Sequence, residues 1–151
     1  MHKARGARAC ALDLGGARVG VALADELGLY AHPRGVLAAR PRPALLASIA
    51  AFAREERVTH IVCGLPLDMR GGEGDAANKA RDLAQEIADS TGLSVELWDE
   101  RLTTVEARRN LAASEVHGAK AKARIDEASA VTILQAWLDQ RRHAPRSRGR
   151  R

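Results

Sequence analysis

The chain has 151 residues, of which 46% are hydrophobic and 28% are charged, a balance typical of one globular domain with a single core. This composition excludes wholesale disorder and collagen-like repeats, and no apolar run approaches the roughly 20 residues of a membrane-spanning helix. The formal net charge is +5, and the basic N-terminus lacks the apolar segment of a secretory signal, so we expect a soluble, cytoplasmic protein.

The first half of the chain predicts a hairpin, a third strand and a helix. In chain order these are strands at 9–14, 19–24 and 34–38 and a helix at 44–57. The two first strands are apolar runs joined by Gly15-Gly16, a pair typical of a tight turn. Leu45 and Ile49 recur at helical spacing, which indicates one apolar face for the helix.

The second half alternates strands and helices. Its elements are a strand at 58–64, a helix at 75–92, a strand at 94–98, a helix at 104–113, a mobile basic loop at 114–123 and a helix at 125–142. The last helix is apolar nearly all round, so it must pack on a sheet. The order β-β-β-α-β-α-β-α-α predicts an α/β domain with a mixed sheet.

The basic residues are concentrated at the two ends of the chain. We expect a basic N-terminal arm at 1–8, a single domain at 9–142 and an Arg-rich, disordered tail at 143–151. Arginine binds phosphate in a fork geometry, so these ends suit nucleic acid, although a solubilising tail would have the same composition. Cys10 and Cys63 both lie in apolar runs, which favours reduced, buried thiols over a metal site.

Three acidic residues stand where an acid is costly unless it has a role. Asp13 lies in an apolar strand, and burying an unpaired carboxylate costs several kcal/mol. It could bind a cation or cap the glycine turn. Asp99 and Glu100 end a strand, where alternation directs them to opposite faces, so only one of them can share a site with Asp13. Both could instead be solvated, with Arg101 as a salt-bridge partner.

Asp126 opens the last predicted helix, on the stripe that continues through Ala130, Ile133 and Trp137. A first-turn Asp also interacts favourably with the helix dipole, which is its alternative role. Together with the other acids it suggests three carboxylates that converge over one sheet. Such oxygen ligands suit Mg²⁺ or Mn²⁺, and two ions of this kind support phosphodiester cleavage.

Four segments resemble the motifs of the YqgF/RuvX family of Holliday-junction resolvases and pre-16S rRNA nucleases. They are Asp13-Leu14-Gly15-x-x-Arg18-x-Gly20, Gly64-Leu65-Pro66-Leu67, Asp99-Glu100-Arg101-Leu102-Thr103-Thr104 and Ile125-Asp126-x-x-Ser129-Ala130. The resemblance implies an RNase H-like fold, with a mixed five-stranded sheet and helices on both faces. It also implies a cytoplasmic nuclease whose catalytic acids, Asp13, Glu100 and Asp126, bind divalent metal.

We therefore expect a metal-dependent endonuclease, with two Mg²⁺ or Mn²⁺ ions, that acts on precursor 16S rRNA or on four-way DNA junctions. The side chains expected to contact phosphates are Arg18, Arg101, Lys120 and Lys122. Arg18 and Arg101 could equally be ion-pair partners. Either a monomer or a homodimer is compatible with the sequence, and junction resolution would require the dimer.

Two other functions fit parts of the pattern. A non-catalytic nucleic-acid binder would use the basic ends, but the acids would then repel phosphate. A sugar-kinase or actin-like nucleotide-binding domain has a similar Asp-x-Gly-Gly hairpin, but such proteins enclose a nucleotide between two domains.

Overall fold

The computed structural model describes residues 7–65, 74–100 and 118–143. Its strands are β1 (Ala9–Leu14), β2 (Arg18–Ala24), β3 (Ala31–Ala38), β4 (His60–Leu65) and β5 (Ser94–Asp99), and its helices are α1 (Arg42–Glu55), α2 (Asp75–Thr91) and α3 (Ala119–His143).

The five strands form one mixed sheet in the order β3-β2-β1-β4-β5. The hairpin of β1 and β2 and the pairing of β2 with β3 are antiparallel, whereas β1 pairs with β4, and β4 with β5, in parallel. The turn between β1 and β2 is closed by the amide of Gly15, which donates to the carbonyl of Arg18 at 3.1 Å. The predicted mixed sheet and its hairpin are thus confirmed.

The two faces of the sheet bury different residues. Cys10 and Leu12 of β1 face α1 and α2, where Ile49 and Ile87 complete the larger part of the core. Ala9 and Ala11, which alternate with them, belong to a second cluster with the apolar side chains of α3. Small side chains on this second face, here called the α3 face, let the helix lie close to the strands. Helices therefore cover both faces, as the resemblance implied.

The last helix differs from its prediction, since it begins at Ala119 and not at 125. Gly118, with a φ of 97°, directly precedes it. Residues 119–123 alternate Ala and Lys, which are strong helix formers even without an apolar stripe. The mobile loop predicted for 114–123 is therefore wrong over its second half.

The other elements lie within a few residues of their predicted positions. The main difference is β3, which begins at Ala31 and includes Pro33. Proline is tolerated there because β3 is an edge strand. The predicted helix at 104–113 lies outside the described residues. So do most of the basic arm and the tail, and the predicted domain boundaries remain predictions.

No described helix combines the length and the low charge needed to cross a bilayer.

Candidate active site

Asp13 lies near the carboxyl end of β1 and is only 3% exposed. It has the same strand parity as Ala9 and Ala11, which pack beneath α3, so its side chain belongs to the α3 face. An antiparallel pairing places Gly20 of β2 directly beside it. A buried carboxylate is thus built into a strand that is otherwise apolar.

Gly20 lets α3 approach this part of the sheet. A Cβ atom at position 20 would stand 2.1 Å from the main-chain oxygen of Asp126 and 3.0 Å from the nitrogen of Glu127. Real atoms do not approach so closely, so the contact requires glycine. The absence of a side chain at Gly20 therefore brings the backbone of Asp126 onto the strand next to Asp13.

A second glycine makes room on the other side of Asp13. Leu12 pairs with Cys63 in β4, so the following positions, Asp13 and Gly64, are level in adjacent strands. A Cβ atom on Gly64 would lie 2.7 Å from Oε2 of Glu100. The Glu100 carboxylate therefore lies over Gly64, where it is 4% exposed. Asp13 thus has a glycine beside it in each neighbouring strand. The backbone of Asp126 lies against Gly20, and the side chain of Glu100 lies against Gly64.

The geometry distinguishes Glu100 from its neighbour Asp99. Asp99 pairs with Leu65 and has the parity of Val95 and Leu97, which pack toward α1 and α2. Glu100 follows the parity of Trp98, which packs in the α3 cluster. The two acids are directed to opposite faces, as strand alternation predicts, and Glu100 is the one on the face of Asp13.

Asp126 does not open a helix. Because α3 begins at Ala119, Asp126 lies about two turns inside it, beyond the reach of the helix-terminal dipole. Its expected dipole role is therefore wrong. Its predicted stripe is confirmed, since Ala130, Ile133 and Trp137 are all buried.

The Asp126 carboxylate forms an ion pair with Arg18. Arg18 Nε donates to Asp126 Oδ2 at 2.8 Å, and the two side chains are 29% and 20% exposed. This partly buried contact joins the start of β2 to α3. Arg18 is predicted either to contact a phosphate or to form an ion pair, and the ion pair is the one that the structure shows.

The donor chemistry of this face fits a hard divalent cation, since Asp13, Glu100 and Asp126 all offer carboxylate oxygens. The hydroxyl of Ser129, one turn after Asp126, is fully buried and has no hydrogen-bond partner in the described part of the chain. A buried polar group of this kind is normally satisfied by a water or a ligand. Among the described residues, however, no three Asp, Glu, His or Cys side chains form a group that could hold a metal ion. The acids share one face, while the ion pair directs Asp126 toward Arg18.

Three further side chains are predicted to contact phosphates. Arg101 lies outside the described residues, and Lys120 and Lys122 lie in the first two turns of α3. Their phosphate contacts remain predictions.

The sequence analysis does not predict that Gly20 and Gly64 make room for the other two acids of the site. Glycine inside a strand is a known signal of close approach by another group, but the signal does not name the group. Asp126 and Glu100, which use the two spaces, are distant in the sequence from Gly20 and Gly64.

The two cysteines are buried in the core beneath this site, and both are free thiols. Burial raises the pKa of Cys10 to about 12 and also raises that of Cys63. Both thiols are therefore held in their protonated form in the core.

Both the fold and the sequence are similar to those of other proteins. Over 92% of this chain and 98% of the other, the fold is similar to that of Thermus thermophilus RuvC in complex with a Holliday junction substrate, with a TM-score of 0.57 at 13% identity. The chain is 46% identical over 135 residues to a protein of Myxococcus xanthus (strain DK1622), covering 89% of each. It is also 49% identical over 130 residues to a protein of Anaeromyxobacter sp. (strain Fw109-5), covering 86% of this chain and 95% of the other.

Both of these relatives carry the name "Putative pre-16S rRNA nuclease". The sequence profile of RuvX, described as Holliday junction resolvase, matches residues 7–140. The chain therefore belongs to the RuvX family, whose RNase H-like fold and nuclease character agree with the buried acids on the α3 face.

Proposed function

We propose that this protein is a divalent-metal-dependent endonuclease that cleaves a phosphodiester bond in the 5′ leader of precursor 16S rRNA. The observation that carries the proposal is the pair of glycines beside Asp13. Gly20 admits the backbone of Asp126, and Gly64 admits the carboxylate of Glu100. Together the two glycines bring the Glu100 carboxylate and the helix that carries Asp126 to either side of the buried Asp13.

In this proposal Asp13, Glu100 and Asp126 hold one or two Mg²⁺ or Mn²⁺ ions. When bound, such ions activate water and stabilise the leaving oxygen of a phosphodiester. The protein holds Asp13 and Glu100 in place by burying them on the sheet. Asp126 is held on the same face by its ion pair with Arg18, and its carboxylate would turn from Arg18 toward Asp13 when a metal ion binds.

The names of the relatives favour the RNA substrate. A four-way DNA junction is the second candidate, favoured by the description of the family profile and by the RuvC complex of similar fold. Leader processing needs one active site and a monomer suffices, whereas symmetric junction resolution needs two sites and therefore a homodimer. Either substrate accords with a cytoplasmic protein.

The test is cleavage of two end-labelled substrates, a 16S rRNA precursor with its 5′ leader and a four-way DNA junction, in Mg²⁺ or Mn²⁺. Asp13→Asn keeps the size of the side chain and removes its charge, so we expect cleavage to fall by at least about a thousandfold. Asp82→Asn, at an exposed position of α2, is the matched control and should cleave as the wild type does.

Thermal unfolding with and without Mn²⁺ provides a readout that does not depend on activity. A ligand that binds only the folded state raises the melting temperature, so Mn²⁺ should stabilise the wild type and Asp82→Asn but not Asp13→Asn. Equal cleavage by Asp13→Asn would contradict the assignment of this residue. Failure of the folded wild type to cut either substrate in both metals would contradict the nuclease.

A further inference from the structure

A groove of about 470 Å³ opens beside the turn between β1 and β2. Leu14 and Gly15 form one side, Arg40 and Arg42 at the start of α1 form another, and Lys79 and Leu83 of α2 complete it. We call it the basic groove. Leu14 packs against the clusters that include α1 and α2, so the groove lies on the side of the sheet opposite the α3 face.

The charged residues that line the basic groove, within the described part of the chain, are all cations. Arg40, Arg42 and Lys79 are exposed, and none of the described lining residues is acidic. Among the ion pairs between described residues, only Arg42 takes part, with Glu86 at 3.2 Å. Both of those side chains are more than 40% exposed, and an exposed pair of this kind is weak and easily exchanged for another partner. All three cations are therefore available to an anion.

The groove is also lined by apolar side chains. Leu14 and Leu83 are among them, and Leu83 is 7% exposed. A cleft with low-dielectric walls and charges of one sign concentrates the electric field and attracts counter-ions. Its volume lies within the range of about 300–1,000 Å³ that is usual for ligand sites. The cations of this groove can bind a phosphate, and its apolar side chains can contact the sugar to which that phosphate is attached.

The basic groove lies close to the candidate catalytic acids. Leu14 directly follows Asp13, and the two side chains are directed to opposite faces of the same strand. The turn after β1 contains two residues without side chains, Gly15 and Gly16. The space at Gly16 is open, since a Cβ atom there would meet no atom within 4 Å. Gly15, which lines the groove, lies about 7 Å along the chain from Asp13, so one strand of nucleic acid that passes the turn would meet both sites.

We propose that the basic groove binds the sugar-phosphate backbone of the substrate, a few nucleotides from the bond that is cleaved. Lys79 and Arg40 contact the phosphates, and Arg42 joins them when it leaves Glu86. The inference rests on the proposed function only in that both sites bind the same nucleic acid. It extends that function with a second contact, which the substrate reaches by passing the carboxyl end of β1.

The test is binding without cleavage, measured by fluorescence anisotropy in EDTA. The probes are a labelled RNA with the 16S 5′ leader and a labelled four-way DNA junction, each titrated at several salt concentrations. The variant is Arg40→Ala/Lys79→Ala. Its charge-matched control is Arg54→Ala/Arg141→Ala: Arg54 lies 12 residues beyond Arg42 in α1, about 18 Å away, and Arg141 lies over Trp137 in α3.

We expect the groove variant to raise the Kd by about tenfold or more, and to lower the slope of log K against log salt by about 1.4 to 1.8. The control should change both quantities far less. An equal loss in the control would mean a general charge effect, and no loss in the groove variant would mean no contact; either result overturns the proposal. Thermal unfolding of both variants verifies that they are folded.

Adenosine monophosphate distinguishes a backbone site from a site for free nucleotide. If it stabilises the wild type through Lys79 while both nucleic acids bind the groove variant normally, the backbone proposal is overturned. Failure of the nuclease proposal is separately visible. Weaker binding by the groove variant, combined with a wild type that cuts nothing in Mg²⁺ or Mn²⁺, would support the groove and contradict the nuclease.

Discussion

At the scale of single residues, the site depends on a position that has no side chain. Gly64 carries the Glu100 carboxylate above its Cα atom, and Ile133 reaches the same space from α3. Any larger residue would compete with both of them. The position of Glu100, one of the proposed catalytic acids, is therefore set by a glycine in the neighbouring strand.

Replacing Gly64 by Ala should reduce activity more than stability. The new Cβ would lie 2.7 Å from both Glu100 Oε2 and Ile133 Cδ1, and these are the ends of side chains that can move. We expect the free energy of unfolding to fall by about 1–3 kcal/mol, while cleavage falls further because Glu100 is displaced. Urea unfolding and single-turnover cleavage measure the two effects.

The matched control is Gly74→Ala, because a Cβ atom there would meet nothing within 4 Å. Gly74 is the N-cap of α2, where Gly is preferred over Ala, so we expect stability to fall by up to about 1 kcal/mol while cleavage stays at the wild-type rate. A Gly64→Ala variant that cuts as fast as this control would show that the position of Glu100 is irrelevant to the reaction.

The acids themselves could be predicted from the sequence, but their geometry could not. A carboxylate in an apolar strand is recognisable because its burial is costly, and this cost is what singles out Asp13 in the sequence. The choice of Glu100 over Asp99 follows from strand alternation only once Asp13 is known to face α3. That fact depends on which helix covers which face, and the order of elements does not specify it.

At the scale of elements, the contact between α3 and β2 keeps Asp126 against the strand that lies next to Asp13. Main-chain atoms of Asp126 lie against Gly20, and Arg18 joins the same strand to the same helix. On the adjacent strand β3, Glu127 accepts a hydrogen bond from the amide of Gly35, and Gln135 accepts one from the amide of Ala31 at 2.9 Å. The helix is therefore fixed along much of its length.

Replacing Gly20 by Ala should be the more damaging of the two glycine changes. The new Cβ would lie 2.1 Å from the carbonyl oxygen of Asp126, and a main-chain atom in the middle of a helix cannot move alone. The whole helix must separate from β2, so we expect a loss of about 3 kcal/mol or more. A loss in urea unfolding no larger than that of Gly64→Ala would contradict this packing.

Most elements could be predicted because their apolar residues follow a clear period. The start of α3 could not, since residues 119–123 have helical propensity but no apolar stripe. The first residues of β3 could not either, because Pro33 argues against a strand unless the strand is known to lie at an edge. For β3 the missing information is therefore the position of the strand in the sheet.

At the scale of the whole molecule, one carboxylate links segments that are distant in the sequence. Glu56, just after α1, accepts a hydrogen bond from Arg34 of β3 at 2.7 Å and forms an ion pair with Arg8 at 3.4 Å. Arg8 also donates to the main-chain oxygens of Ala24 and Glu56. The network connects the end of α1, two strands and the segment before β1.

This network makes stability depend on pH in a definite direction. The hydrogen bond from Arg34, with the charges of Arg34 and Arg8, lowers the pKa of Glu56. A depressed pKa means that the folded state favours the ionised carboxylate. Its contribution is therefore present above the unfolded-state pKa of about 4.3 and is lost as the pH falls through the lower, folded-state value.

Replacing Glu56 by Gln removes the ionised form at every pH. We expect the free energy of unfolding to fall by up to about 1 kcal/mol at pH 7, the usual limit for exposed pairs, and the difference from the wild type to close as the pH approaches about 3. Glu55→Gln, at the exposed neighbouring position, should remove one charge with a smaller effect at pH 7. Urea unfolding of all three proteins across this range is the measurement. A difference between Glu56→Gln and the wild type that stays constant from pH 7 to pH 3 would show that the carboxylate charge plays no part in holding these elements together.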